Sequence, residues 1–195
     1  MSSTDEGEAS SVQTEQVKSI HFYRDRVGAI IGAEGSTKEQ LEKSLNIQLT
    51  VNSDTGQVVV GNRGNEIDRF MAAVDVINAI NLGFSPHRAS TLYRGDQSLH
   101  IWDLRAKGFK DSRSLQRVKG RIIGEGGKTR RIIEETAKVL VSVYRHSVVL
   151  IGDFEGLLMA KEAIDMLIRG TPHKAVYNHL FRERQRQKFE KLKMY

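Results

Sequence analysis

Apolar positions along the chain follow two spacings that alternate in a repeated order. Over residues 19–22 apolar and polar residues alternate, the period of a half-buried strand. Val27, Ile30 and Ile31 predict a short helix that stops at Gly32. Leu41 and Leu45, four positions apart, predict a second helix with Ser36 as its N-cap. Ile47, Leu49 and Val51 alternate again, Asp54-Thr55-Gly56 turns, and residues 58–60 return as a strand. A longer helix, capped near Asn65, carries Ile67, Phe70, Ala73, Val74, Ile77 and Ile80 on one stripe. Gly83 and Pro86 are its expected stop.

The second half repeats the succession. Leu99, Ile101 and Leu104 predict a strand, a short helix runs to Ile123, and another covers about residues 129–137. Val139, Val141 and Val143 form the next strand, residues 148–151 the return strand, and a last helix from Asp153 carries Leu157, Met159, Ile164 and Leu167 until Gly170 and Pro172. The repeat is also visible residue by residue. Ile30-Ile31-Gly32-Ala33-Glu34-Gly35 recurs as Ile122-Ile123-Gly124-Glu125-Gly126-Gly127, and Ser85-Pro86-His87-Arg88-Ala89 has its counterpart in Thr171-Pro172-His173-Lys174-Ala175. Two modules follow, at residues 17–92 and 98–180, flanked by an acidic, disordered tail at 1–16 and a basic helix or tail at 181–195. The expected fold class is α+β, each module a small three-stranded antiparallel sheet covered on one face by three helices.

Charge separates the two modules that the pattern makes equivalent. Residues 1–16 carry four acids and no base, residues 17–97 nine of each, and residues 98–195 twenty-one bases against eleven acids. The second module is therefore the one drawn to polyanions. The absence of cysteine from the 195 residues removes disulfides, thiolate metal sites and a cysteine nucleophile together. Six scattered histidines have no metal-ligand spacing, so neither metal nor cofactor is expected. His87 and His173 repeat beside the helix stops, where a cation suits a helix C-terminus. The first residues have no basic-then-apolar leader, and the apolar runs are only a few residues long, so a cytoplasmic protein without a membrane span is expected.

The glycine loop carries the candidate chemistry. Gly127-Lys128-Thr129 matches the end of a nucleotide phosphate loop, but that motif needs glycine where Ile122 stands; a dinucleotide fingerprint from Gly124 needs glycine at Thr129. Gly-x-x-Gly between two short helices does fit, because a chain without Cβ atoms admits a nucleic-acid backbone and the next helix offers its amides to phosphate. Across residues 117–131 six cations, Arg117, Lys119, Arg121, Lys128, Arg130 and Arg131, face Glu125 alone, whereas residues 24–39 of the first module balance at zero. Lys107-Gly108-Phe109 begins an RNA-stacking motif that Lys110 breaks, and the chain's 7 Phe, 5 Tyr and 1 Trp form no base-stacking cluster. Neither clustered carboxylates nor a nucleophile with its base supports the competing reading, a nuclease or phosphate-transfer enzyme.

These loops, helices and hairpins resemble the KH type I domains, and residues 120–130 with Ile151-Gly152-Asp153-Phe154, Leu167-Ile168-Arg169-Gly170-Thr171-Pro172 and Val176-Tyr177 are similar to the archaeal Partner-of-Nob family of ribosome-assembly factors. The resemblance implies two tandem KH domains, a non-catalytic protein, and binding of the small-subunit rRNA 3′ end through the second domain. It implies partners as well: the Nob endonuclease, the rRNA adenine dimethyltransferase and the α subunit of initiation factor two. On that reading Gly124, Gly126, Gly127 and Lys128, with the amides after them, take the RNA backbone. Lys119, Arg121, Arg130 and Arg131 attract it, and Ile122, Ile123 and Val141 wall the groove. Gly120, Glu125 and Thr129 complete the site, Glu125 departing from the basic or neutral residue common there. Gly32, Ala33, Glu34, Gly35 and Lys38 form a weaker counterpart in the first module. A general KH adaptor acting on mRNA or in an RNA-degrading assembly is the alternative.

Overall fold

The computed structural model describes residues 16–64 and 66–193. The acidic segment at 1–15 and the cap expected at Asn65 lie outside them. The first module runs β1 (Val17–His21), α1 (Arg24–Ile31), α2 (Ser36–Leu45), β2 (Ile47–Asn52), β3 (Gln57–Asn62), α3 (Ile67–Asn81) and a short α4 (Pro86–Ala89). The second runs β4 (Ser98–Asp103), α5 (Ser112–Ile123), α6 (Lys128–Ala137), β5 (Leu140–Tyr144), β6 (Ser147–Gly152), α7 (Phe154–Ile168) and α8 (His173–Lys193). Each has one three-stranded antiparallel sheet with the return strand in the middle, ordered β1-β3-β2 and β4-β6-β5. Pairing Ile20 with Val58 and Leu49 with Val60 puts the apolar set of all three strands on the face that the helices cover.

Several local expectations are corrected. Ser36 is the first residue of α2, not its cap; the cap is Gly35 at φ 83, a left-handed conformation that suits glycine. Glu66 precedes α3 without a side-chain cap bond. Pro86 starts α4 instead of only ending the previous helix, with Ser85 as N-cap, and Pro172 likewise stands just before α8; a proline ring suits a first helical turn, where its missing N–H is not needed. His87 and His173 thus lie in the first turn of the following helix. The helix before the second loop is twelve residues long, started by Asp111, whose carboxylate accepts from Ser114 N–H at 2.8 Å. In β4 Trp102 faces the core while Ile101 is 44% exposed, and Leu104 lies buried just past the strand. The boundary at 180 falls within one continuous helix, α8, whose Val176 and Leu180 are fully buried in the second core. Phe109 packs on that core, so its run is no stacking platform.

The helical layer lies on one face of each sheet, but the second sheet is covered on its other face too. All six residues of β6 are buried. Val149 and Ile151 join the core of the first module, with Leu99 and Leu140 packed beside them. The Ser142 hydroxyl donates to the Leu82 carbonyl at 2.9 Å, and Gly83 is so close that a Cβ there would stand 2.9 Å from Tyr144 Cβ. Arg88 pairs with Glu134, and Arg145 with Asp25 at 2.7 Å while its guanidinium lies 4.3 Å from the Tyr23 ring centre. The Tyr144 hydroxyl and then Arg145 hold the Asp25 carboxyl below the usual carboxylate range. The corresponding face of the first sheet carries Ser19, Gln48, Thr50 and Gln57, all exposed. Among the described residues no helix is long and apolar enough to cross a membrane.

Candidate nucleic-acid interface

The two glycine loops have the same backbone. Gly32 and Gly124 both take φ 74, Glu34 and Gly126 take φ 51 and 54, and Gly35 and Gly127 take φ 83 and 77. The first glycine of each loop answers to packing rather than to a ligand. A Cβ on Gly124 would come within 2.7 Å of the Thr129 nitrogen, and one on Gly32 within 2.8 Å of the Thr37 nitrogen. Gly126 and Gly127 have no atom within 4 Å of a built Cβ, so their surface is open. Glu34 holds the left-handed conformation with a side chain that disfavours it. Glu34→Gly is expected to stabilise the protein by about 1 kcal/mol, and urea unfolding of the two forms measures it.

Electrostatics then separate the loops. No side chain caps the start of α6, and Lys128, Arg130 and Arg131 are exposed around it. Lys119 is half-buried, and Gly120 leaves open space on α5. Glu125 is exposed at the turn. Around the first loop Lys38 is half-buried, Ala33 and Glu34 are exposed, and Arg26 is turned inward, its guanidinium donating to Ile80 O at 2.8 Å and to Phe84 O. The positive field at exposed loop positions therefore belongs to the second module.

Four of the residues expected at the site have other work. Arg121 donates to Leu167 O at 3.0 Å and Thr171 O at 2.6 Å, capping the C-terminus of α7. Ile122 and Val141 are 0% and 1% exposed and their side chains belong to the core, although Val141 still borders a cleft with Arg88 and Arg130. Thr129 is 1% exposed, its hydroxyl 2.7 Å from that of Tyr177. Half-buried Ile123 remains as the apolar residue beside the loop.

The groove wall is instead backbone. β5 pairs with β6 along one edge and leaves the other free toward α6. The Val141 N–H points out of this edge and donates to Glu134 Oε1 at 2.8 Å, so Val143, two residues on, turns its N–H and C=O the same way. Glu134 is also met by Arg88 of the first module and by Arg130 at 3.9 Å, two cations for one carboxylate. A cleft of about 320 Å³ opens here, lined among others by Gly83, Ser85, Arg88, Arg130, Val143 and Tyr144. Arg88 and Glu134 were not singled out in the sequence. The signal was present in the repeat, since Glu42 accepts from Leu49 N–H at 2.6 Å in the corresponding place.

Residues 98–185 match the model of the eukaryotic-type KH domain, KH type I, in its form as the second domain of PNO1. The KH domain-containing protein MJ0443 of Methanocaldococcus jannaschii is 36% identical over 90% of this chain and 78% of its own length. The pre-rRNA-processing protein PNO1 of Debaryomyces hansenii is 31% identical over 70% of this chain and 54% of its own. Among solved structures, Dim2p in a complex with a/eIF2α and rRNA from Pyrococcus horikoshii aligns with a TM-score of 0.83 at 36% identity, covering 89% of this chain and 97% of that one. Relatedness of this depth extends across both modules, and the chain belongs to the Dim2/PNO1 family of type I KH-domain proteins.

Proposed function

We propose that this protein is a non-catalytic RNA-binding factor of small-subunit ribosome assembly that holds the 3′ end of small-subunit rRNA in its second module. The observation that carries the reading is the open loop at Gly126 and Gly127, with uncapped α6 amides behind it and exposed Lys128, Arg130 and Arg131 around it. These groups suit the backbone of a short single strand, whose bases then lie over Ile123 and against the free edge at Val143. The first loop, with Glu34 at its tip, is the weaker secondary contact. The names of the relatives support the same direction: pre-rRNA processing for the Debaryomyces protein, and rRNA with an initiation factor for the Pyrococcus protein. The α subunit of initiation factor two is the partner proposed from that complex. The Nob endonuclease and the rRNA adenine dimethyltransferase are proposed as partners from the family resemblance, and a cytoplasmic location is proposed alongside them.

The test is binding, at one fixed salt concentration, of a single-stranded oligonucleotide copied from the host's small-subunit rRNA 3′ end beside a shuffled one of equal length. A clear preference for the true sequence is expected, with a slope of log K against log salt of about −0.7 for each phosphate neutralised. Equal affinity for both would reduce the role to that of a general KH adaptor.

A further inference from the structure

Helix α8 starts against the second glycine loop and runs away from it. His173 Nε2 lies 2.9 Å from Arg121 O, and the Tyr177 hydroxyl meets Thr129 at the start of α6. Leu180 is the last buried residue of the helix, and beyond it α8 continues to Lys193, about 20 Å further at the usual helical rise.

The two sides of this outer stretch differ in kind. The inner side holds its carboxylates: Glu183 lies 2.8 Å and Glu190 3.8 Å from Arg186, and Lys191 reaches Glu155 on α7 at 2.8 Å. The outer side carries Phe181, Phe189 and Leu192, which are 52%, 66% and 74% exposed. At about 100° per residue these three share an arc of about 80°. Lys174, Arg182, Lys188 and Lys193 stand within or beside that arc, and none of them meets a carboxylate within 4.0 Å among the described residues. An ordinary solvated helix face mixes signs, with acids and bases paired one turn apart. Here rings and unpaired cations share a face without acids, the combination that holds single-stranded nucleic acid by stacking and charge.

We propose that the outer face of α8 is a second RNA contact, taking the nucleotides that flank those held in the groove of the second module. Phe181 and Phe189 stack on bases, and the cations beside them neutralise phosphates. Continuity favours RNA over an acidic protein segment: the same helix that packs on the glycine loop carries the cations outward from Lys174 to Lys193. The inference rests on the RNA-binding reading above.

The experiment compares a five-nucleotide and a twelve-nucleotide single strand from the rRNA 3′ end, with the full chain, its F181A/F189A variant and its R182Q/K188Q variant. All four positions are exposed, so the variants fold, and circular dichroism checks this. The native chain is expected to bind the longer strand more tightly, and the aromatic variant to lose at least tenfold on it while binding the short strand unchanged. The charge variant should show a salt slope on the longer strand shallower by about 1.4. Variants that bind both strands as the native chain does overturn the second contact but leave the groove reading intact. A native chain that binds neither strand overturns both.

Discussion

Gly126→Asp is expected to weaken RNA binding about a hundredfold while the protein stays folded. At φ 54 the backbone is left-handed, a conformation that aspartate tolerates better than most residues, and the new Cβ enters open space. The damage is electrostatic. A carboxylate about 4 Å from a phosphate costs about 4 kcal/mol at an effective dielectric of 20, and solvent screening brings this to about 2–3 kcal/mol, with tenfold in affinity for each 1.4 kcal/mol. Gly126→Asn, alike in size but uncharged, is the control and should lose much less. The first module already presents a carboxylate here, Glu34, in the same backbone conformation. Anisotropy titrations of the three proteins with one labelled oligonucleotide decide the matter. Equal affinities would mean that the loop is not where the backbone lies.

The second large effect concerns the joint between the modules. Val149 is 0% exposed and sits in the first module's core although it belongs to the second module's sheet. Val149→Asp places an unpaired carboxylate there, and a loss of about 4 kcal/mol or more is expected, with the modules parting before the charge is buried. Val59 occupies the same place in the middle strand of the first sheet, on the face that no module covers, and it is partly exposed. Val59→Asp should therefore cost less than about 1 kcal/mol. Urea unfolding followed by circular dichroism and by the fluorescence of the single Trp102 compares the pair. Losses of similar size would show that the two faces are equally open in solution. A split of the Val149→Asp transition into two steps would show that each module holds its own fold once the joint is broken.

The succession of strands, helices and loops was legible because it rests on local periodicity and punctuation, and because the chain states it twice. The same holds for the charge contrast and for the loop from Gly124 to Lys128, where residue types alone select among motifs. Side-chain roles were harder to read. Arg121 counts as a cation of the site in any linear tally, yet the end of α7, brought beside it by the fold, takes its guanidinium. Ile122 and Val141 are apolar near the loop, and only the packing of α5 and β5 on the same core shows that they face inward. The first-turn prolines were ambiguous because a proline ends one helix and starts another by the same missing N–H.

Sequence by itself determined the two-layer modules, their duplication, the glycine loops and the positive charge of the second half, all of which follow from short-range pattern and composition. Residues 148–151 were legible as the return strand of a sheet covered on one face, not as a strand buried on both. Tertiary structure decided what covers that second face, which loop glycines answer to packing and which stand open, and that a strand edge together with Arg88 from the other module borders the cleft. Those depend on contacts between residues far apart in the chain, for which spacing along the sequence carries no signal.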